Sequence, residues 1–132
     1  MQYLLDTQVL IWSLEDNSRL TPSLRALIEN PAYTMFVSQF SLMELSIKLK
    51  LGKLPAFMVS IEYITSQLLS DGFKILQISN NHIFSYQQIP FNDDHRDPFD
   101  RFLLATALAE QMPIISLDEK FRLYRSLITL ID

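Results

Sequence analysis

Four acids spaced along the chain, Asp6, Glu44, Asp100 and Asp118, carry the chemistry this sequence offers. Asp6 directly follows the apolar triplet Tyr3-Leu4-Leu5, and Asp118 comes two residues after Ile114-Ile115-Ser116. Both triplets read as short buried strands, so both acids fall at the carboxyl end of a strand, where open parallel sheets bind their ligands. Asp100 lies in the first turn of a helix opened by Pro98, and Glu44 lies on a helix that starts just after a second strand. Carboxylates from four distant segments can therefore converge on one patch. Two like charges about 4 Å apart repel by roughly 4 kcal/mol at an effective dielectric of about 20, so such a patch calls for a counterion. With oxygen ligands alone, that counterion is Mg2+ or Mn2+. A divalent ion so held lowers the pKa of a water, polarises a phosphodiester and steadies a leaving oxygen.

In isolation each acid has an ordinary structural reading. Asp6 and Asp118 both stand where an aspartate caps a following helix. Glu44 with Lys48 four residues on makes a helix-face ion pair worth about 0.3 kcal/mol. Asp97 and Asp100 both suit the positive end of a helix. Their common edge, not any single residue, favours the joint reading.

The elements that must position the acids alternate in type. Tyr3 to Leu5 reads as a strand and Thr7 to Leu14 as a short helix. Thr21-Pro22 supplies a cap and a first-turn proline for a helix to about Glu29. Thr34 to Val37 is a second strand, with Ser38 placed to cap a helix from Phe40 to Leu51 that Gly52 ends. A helix over Phe57 to Ser70, a strand over Lys74 to Ile78 and a short helix over Asn80 to Gln87 follow. The strongest helix runs from Pro98 to Gln111, rich in alanine and leucine. A strand from Pro113 to Leu117, a short helix over Glu119 to Tyr124 and an edge strand over Ile128 to Ile131 close the chain. Strands separated by helices imply βαβ units, hence an α/β fold with a mostly parallel sheet between two helical layers, in one domain over residues 1–132.

Composition narrows the choices. Hydrophobic residues are 48% and charged residues 20% of the 132, the balance of a folded globular protein. With two glycines, neither a dinucleotide fingerprint nor a P-loop can be written. The absence of cysteine removes disulfides, thiolate zinc sites and cysteine nucleophiles. His82 and His95 lack the spacing of a zinc site. A net charge of −4 argues against broad binding to nucleic-acid backbone, although divalent cations can supply positive charge locally. Lys48, Lys50, Lys53, Arg96 and Arg101 read equally as an RNA path and as a solvated helix face. The opening MQYLLDTQVLIWSLEDN has no basic leader, and Asp6 interrupts its apolar run well short of the ~20 residues of a membrane span. A soluble, cytoplasmic protein is expected.

The same stretches carry a family resemblance. YLLDTQVLIWSL resembles the opening of PIN-domain toxins of the VapC type, and SLMELSIKLKLGKL resembles their second motif. HRDPFDRFLLATALAEQMPIISLDEKFRLY is similar to their third and fourth motifs, in the right order, so the likeness covers nearly the whole chain. It implies a PIN-like three-layer α/β/α fold and a metal-dependent endoribonuclease using Mg2+ or Mn2+. It makes Asp6, Glu44, Asp100 and Asp118 the catalytic, metal-binding acids, with Asp97, Thr7 and Ser116 in support. It further implies a toxin–antitoxin module, in which a cognate antitoxin fills the active-site groove, and a homodimer. Leu10, Ile11, Leu14, Leu42 and Met43 are candidates for the walls of that groove, against a stronger expectation of core burial. One departure is Gln8, where relatives often carry histidine or asparagine and where glutamine cannot serve as a base.

Two rival readings stay open. A phosphatase of the haloacid dehalogenase type wants a second aspartate two residues after the first, and Gln8 stands there. A non-catalytic binding module would have no reason to keep four mutually repelling acids.

Overall fold

Strands buried on both faces read as unbroken apolar runs, because neither set of alternating side chains meets water. Tyr3-Leu4-Leu5 is such a run, and its neighbours divide accordingly. Tyr3 and Leu5 pack with Met35, Val37 and Ile115 on one side of the sheet, whereas Leu4 packs with Ile114 and Phe121 on the other. The computed structural model describes all 132 residues. Its sheet has five strands, β1 (Gln2–Leu5), β2 (Thr34–Ser38), β3 (Lys74–Leu76), β4 (Ile114–Ile115) and β5 (Leu130–Ile131). They lie in the order β3-β2-β1-β4-β5, and every neighbouring pair is parallel.

Helices cover both faces. α1 (Thr7–Glu15), α2 (Pro22–Glu29), α3 (Gln39–Lys50) and α4 (Ile61–Ser70) bury Val9, Leu10, Leu24, Leu45 and Leu68 against one face. α6 (Pro98–Glu110) and a 3-10 helix (Glu119–Tyr124) bury Leu103, Leu104, Phe121 and Tyr124 against the other, with α5 (Asn80–Tyr86) packed on α6. The result is a three-layer α/β/α fold with an all-parallel sheet.

Topology sets where a ligand can sit. From β1 the chain moves outward to β2 and β3, then returns across both to lay β4 on the opposite side of β1. The order reverses between β1 and β4, and the crevice beyond their carboxyl ends is the binding position of open α/β sheets. Asp6 and Asp118 follow those two strands.

Several element boundaries differ from the sequence reading: β4 keeps only Ile114–Ile115 of the strand expected over Pro113 to Leu117, β5 only Leu130–Ile131 of that expected over Ile128 to Ile131, and two further shifts have a visible cause. The helix expected from Phe57 starts at Ile61, because Ser60 accepts a capping bond from the Tyr63 N–H at 3.1 Å. Residues just before it turn instead, with the Phe57 N–H on the Leu54 carbonyl at 3.0 Å. The strand expected to reach Ile78 ends at Leu76, since the Ile78 N–H is taken by the Gln39 side chain at 3.2 Å. Gly52 does close the α3 end, at φ +69°, in the left-handed region that glycine enters without strain.

Candidate active site

Each acid is delivered by a different local device. Asp6 occupies the cap position of α1, yet its side chain makes no capping bond. Its Oδ2 instead accepts from Ser116 Oγ at 3.0 Å, and Ser116 Oγ accepts from the Asp118 N–H at 3.1 Å. One buried hydroxyl thus links the ends of β1 and β4. Asp118 caps the 3-10 helix with one oxygen, Oδ1 accepting from the Lys120 N–H at 3.0 Å. Asp97 caps α6, accepting from the Phe99 N–H at 2.8 Å and the Asp100 N–H at 3.4 Å, which fixes the turn that carries Asp100. α3 brings Glu44 alongside α6 through Phe40, whose ring lies 4.7 Å from Phe99 and 4.5 Å from Phe102. Thr7 donates to Ser41 Oγ at 2.9 Å, joining the first turns of α1 and α3.

Asp6, Glu44, Asp97, Asp100 and Asp118 share the wall of one cleft of about 330 Å³, with Thr7, Gln8 and Lys48 beside them. Ser116 is fully buried and reaches the cleft only through Asp6 and Asp118. The acids perturb one another. Burial, above all, pushes the Asp6 carboxyl up to about 7; Asp100 adds to the rise, the Ser116 bond opposes it, and Glu44 and Asp118 add smaller repulsions. Asp100 is also raised, first by burial, against the bond from His95 and with repulsion from Asp97.

Glu44 tests whether a cation fits. Its Oε2 pairs with Lys48 Nζ at 3.3 Å, while Oε1 is buried with no hydrogen-bond partner. An unpaired buried carboxylate oxygen is costly, and native proteins satisfy such atoms. A hard cation among oxygen donors satisfies it and relieves the repulsion on Asp6 together. The donor set, all carboxylate and without thiolate, fits Mg2+ or Mn2+.

A PIN domain family model matches residues 3–127. The chain belongs to the PIN domain family. Solved structures agree on the fold. VapBC2 from Rickettsia felis, bound to a promoter DNA fragment, is similar with a TM-score of 0.71 at 18% identity, over 100% of both chains. DNA-bound VapBC from Salmonella typhimurium is similar with a TM-score of 0.70 at 15% identity, covering 100% of this chain and 98% of that one. A toxin–antitoxin complex from Klebsiella pneumoniae gives 0.65 at 22% identity, over 98% and 96%. No curated protein gives a significant sequence match.

The basic residues of this PIN domain separate in space. Lys48 lines the acidic cleft, and Lys48 and Lys53 line an adjoining one of about 570 Å³ that also takes in Gln8, Trp12 and Arg19. Lys50 lines neither cleft. Arg101 is no part of an RNA path. It is buried and donates to the Ile89 and Pro90 carbonyls, at 3.0 Å each. Arg96 bonds Asp93 at 3.0 Å, lies over the Phe91 ring and lines neither cleft. Among the apolar candidates, Leu10 and Ile11 are core, Leu14 and Leu42 pack partly buried against it, and Met43 is exposed. No helix of the PIN domain is long and apolar enough to cross a membrane.

The sequence reading set His95 aside as a zinc ligand and gave it no other part. In the structure it is buried, with Nε2 3.1 Å from Asp100 Oδ2, and its donor atom lies with those of Asp100 and Asp118 within 4.8 Å of one another. The available signal was its position five residues before Asp100, in the polar loop that enters α6.

Proposed function

We propose that this PIN domain is a metal-dependent endoribonuclease, the toxin of a toxin–antitoxin module, working in the cytoplasm as a homodimer. The observation that carries the reading is the buried, partnerless Glu44 Oε1 in a cleft shared with Asp6, Asp97, Asp100 and Asp118. Membership of the PIN family and the likeness in fold to VapBC complexes support it. Asp6, Glu44, Asp100 and Asp118 are the residues to hold Mg2+ or Mn2+. When bound, the cation supplies positive charge for the scissile phosphate and a more acidic water as nucleophile.

The chain's own residues do the holding. Ser116 fixes the rotamer of Asp6, Asp97 fixes the backbone under Asp100, and Thr7 locks α1 to α3 through Ser41. Lys48, the cation that lines the cleft, meets the phosphate chain on its approach. Gln8 lines the cleft with an amide that can orient a water or a phosphate oxygen and cannot take a proton from it. The like-charged wall also suits a guanidinium from an antitoxin, since arginine pairs carboxylates in bidentate fashion.

The test is incubation of the purified protein with structured RNA and with a small phosphomonoester, in Mn2+, in Mg2+ and in chelator. Internal RNA cleavage that needs the metal, without phosphate release from the monoester, is expected. Monoester turnover without RNA cleavage overturns the nuclease reading in favour of a phosphatase. Antitoxin binding with neither activity points to a binding module.

A further inference from the structure

We propose that His95 is a positioning residue, the last link of a buried relay from Arg101 through Tyr124 that holds the Asp100 carboxylate toward the cleft; this rests on the metal-site reading above. Arg101 Nη1 lies 3.4 Å from the Tyr124 hydroxyl, and that hydroxyl lies 2.9 Å from His95 Nδ1. His95 Nε2 lies 3.1 Å from Asp100 Oδ2. A guanidinium can only donate and an ionised carboxylate can only accept. Tyr124 therefore accepts from Arg101, and with its own O–H donated to Nδ1 the ring hydrogen lies on Nε2, pointing at Asp100. Every link has the polarity that the next one needs.

The relay is rigid for separate reasons. Arg101 is anchored by the Ile89 and Pro90 carbonyls, at 3.0 Å each. The His95 ring is 2% exposed and held between Phe121 and Tyr124, with ring centroids 5.7 and 5.4 Å away. Arg101 and Asp100 are sequence neighbours, so the relay leaves the first turn of α6 and returns to it. On the way it passes through Tyr124, which sits in the 3-10 helix that Asp118 caps. Two of the four acids are thereby referred to one frame.

His95 also stands close enough to Asp100 and Asp118 to be a metal ligand itself. The tautomer assigned to the relay closes that role. A ring nitrogen that carries a proton has no lone pair to offer, and Nδ1, which has one, faces Tyr124.

The test measures Mn2+ affinity directly, by calorimetry and by electron paramagnetic resonance, in the wild type and in Tyr124→Phe, His95→Ala and His95→Gln. Altered partners of metal ligands typically cost about 10–100-fold in affinity. We expect Tyr124→Phe and His95→Ala to lose about 10-fold or more. His95→Gln, whose amide can still donate to Asp100, should recover most of the loss. In RNA cleavage kcat should fall with KM unchanged, and the electron spin-echo spectrum of bound Mn2+ should show no coordinated nitrogen. Melting curves in chelator identify any variant that fails to fold, and the Gln/Ala pair at His95 decides if Tyr124→Phe does. Wild-type Mn2+ affinity in His95→Ala overturns the relay alone, as does a directly coordinated nitrogen. A wild-type protein that binds no Mn2+ overturns the metal site and the relay together.

Discussion

Ser116 Oγ donates to Asp6 Oδ2 across 3.0 Å, binding the end of β1 to the end of β4 through two residues 110 positions apart. The bond favours the ionised carboxylate and works against the burial that raises Asp6 to about 7. Ser116→Ala removes it, so the Asp6 proton becomes harder to displace, and metal binding competes with that proton. Calorimetric titration with Mn2+ across pH 6 to 8 should show affinity rising with pH in both proteins, with the rise shifted to higher pH in Ser116→Ala. Superimposed profiles would mean that Ser116 does not tune Asp6.

The same shift sets a stability dependence in the metal-free protein. Asp6 has a folded-state value of about 7 against an ordinary 3.8, so between those values the folded state binds more protons than the unfolded one. Stability is then highest at the acid end of this window and falls as pH rises through it. At about 1.4 kcal/mol per unit, the full loss from this group is at most about 4–5 kcal/mol, an upper bound because several acids share the repulsion. Asp6→Asn removes the titrating group. In chelator at neutral pH it should melt above the wild type, while cleavage falls by at least roughly 10-fold, the low end of metal-site effects. A variant less stable than wild type at neutral pH contradicts the buried, repelled carboxylate.

A cation that binds only the folded state adds about 2.7 kcal/mol at a hundredfold excess over Kd. For a domain of this size that corresponds to roughly 3–5 °C per kcal/mol in melting temperature. Mn2+ should raise the wild-type midpoint by about 10 °C, and should raise Asp100→Asn and Asp118→Asn much less. Differential scanning fluorimetry against Mn2+ concentration measures this. Equal rises in all three would mark non-specific ion effects.

The positions of Asp6 and Asp118 were legible because parallel strands announce themselves as short apolar runs, and an acid directly after one has few places to go. α6 was legible from Pro98 and its alanines, whereas Asp97 and Asp100 both suited its positive end and only the bonds to Phe99 and Asp100 make Asp97 the cap. The start of α4 was not. Phe57 to Val59 continue an apolar pattern that periodicity alone assigns to the helix, and only the capping bond to Ser60 excludes them. The roles of His95 and Arg101 were hidden for a different reason. Their partners, Tyr124 for both and the Ile89 and Pro90 carbonyls for Arg101, come from segments 11 to 29 residues away. A charged side chain folded back on backbone carbonyls leaves no periodic trace in sequence.

That contrast separates two cations in function. Lys48 lines both clefts, whereas Arg101 is buried. Lys48→Ala should weaken RNA binding and flatten its salt dependence by about one unit in the slope of log K against log salt. Arg101→Ala should leave that slope unchanged in any protein that folds, and should lower stability by a few kcal/mol, since each stranded buried carbonyl costs about 1–3 kcal/mol. Filter binding across a salt series, with catalysis blocked by chelator, reads the first effect, and urea unfolding reads the second. A reduced salt slope in folded Arg101→Ala would return that residue to the RNA path.

The acidic cleft also makes a prediction about inhibition. Five carboxylates face a single lining lysine, and Lys48 is already paired with Glu44. A basic side chain from an antitoxin would find acceptors on Asp6, Glu44 Oε1 and Asp118 along the wall of the cleft proposed to hold the cation. Competition follows from shared occupancy, and linkage makes it reciprocal: whatever weakens metal binding for the antitoxin's sake is weakened by metal in return. The cognate antitoxin, sought as the small protein encoded beside this one, should bind more tightly in chelator than in Mn2+ and should abolish cleavage at stoichiometric concentration. Truncating the wall should tell the same story: Glu44→Gln should weaken both the antitoxin and Mn2+, because one oxygen serves both. Calorimetry with and without Mn2+, on the wild type and Glu44→Gln, measures this. Affinity indifferent to metal, or antitoxin affinity unchanged in a Glu44→Gln that has lost Mn2+, would show that the partner blocks RNA from elsewhere on the surface.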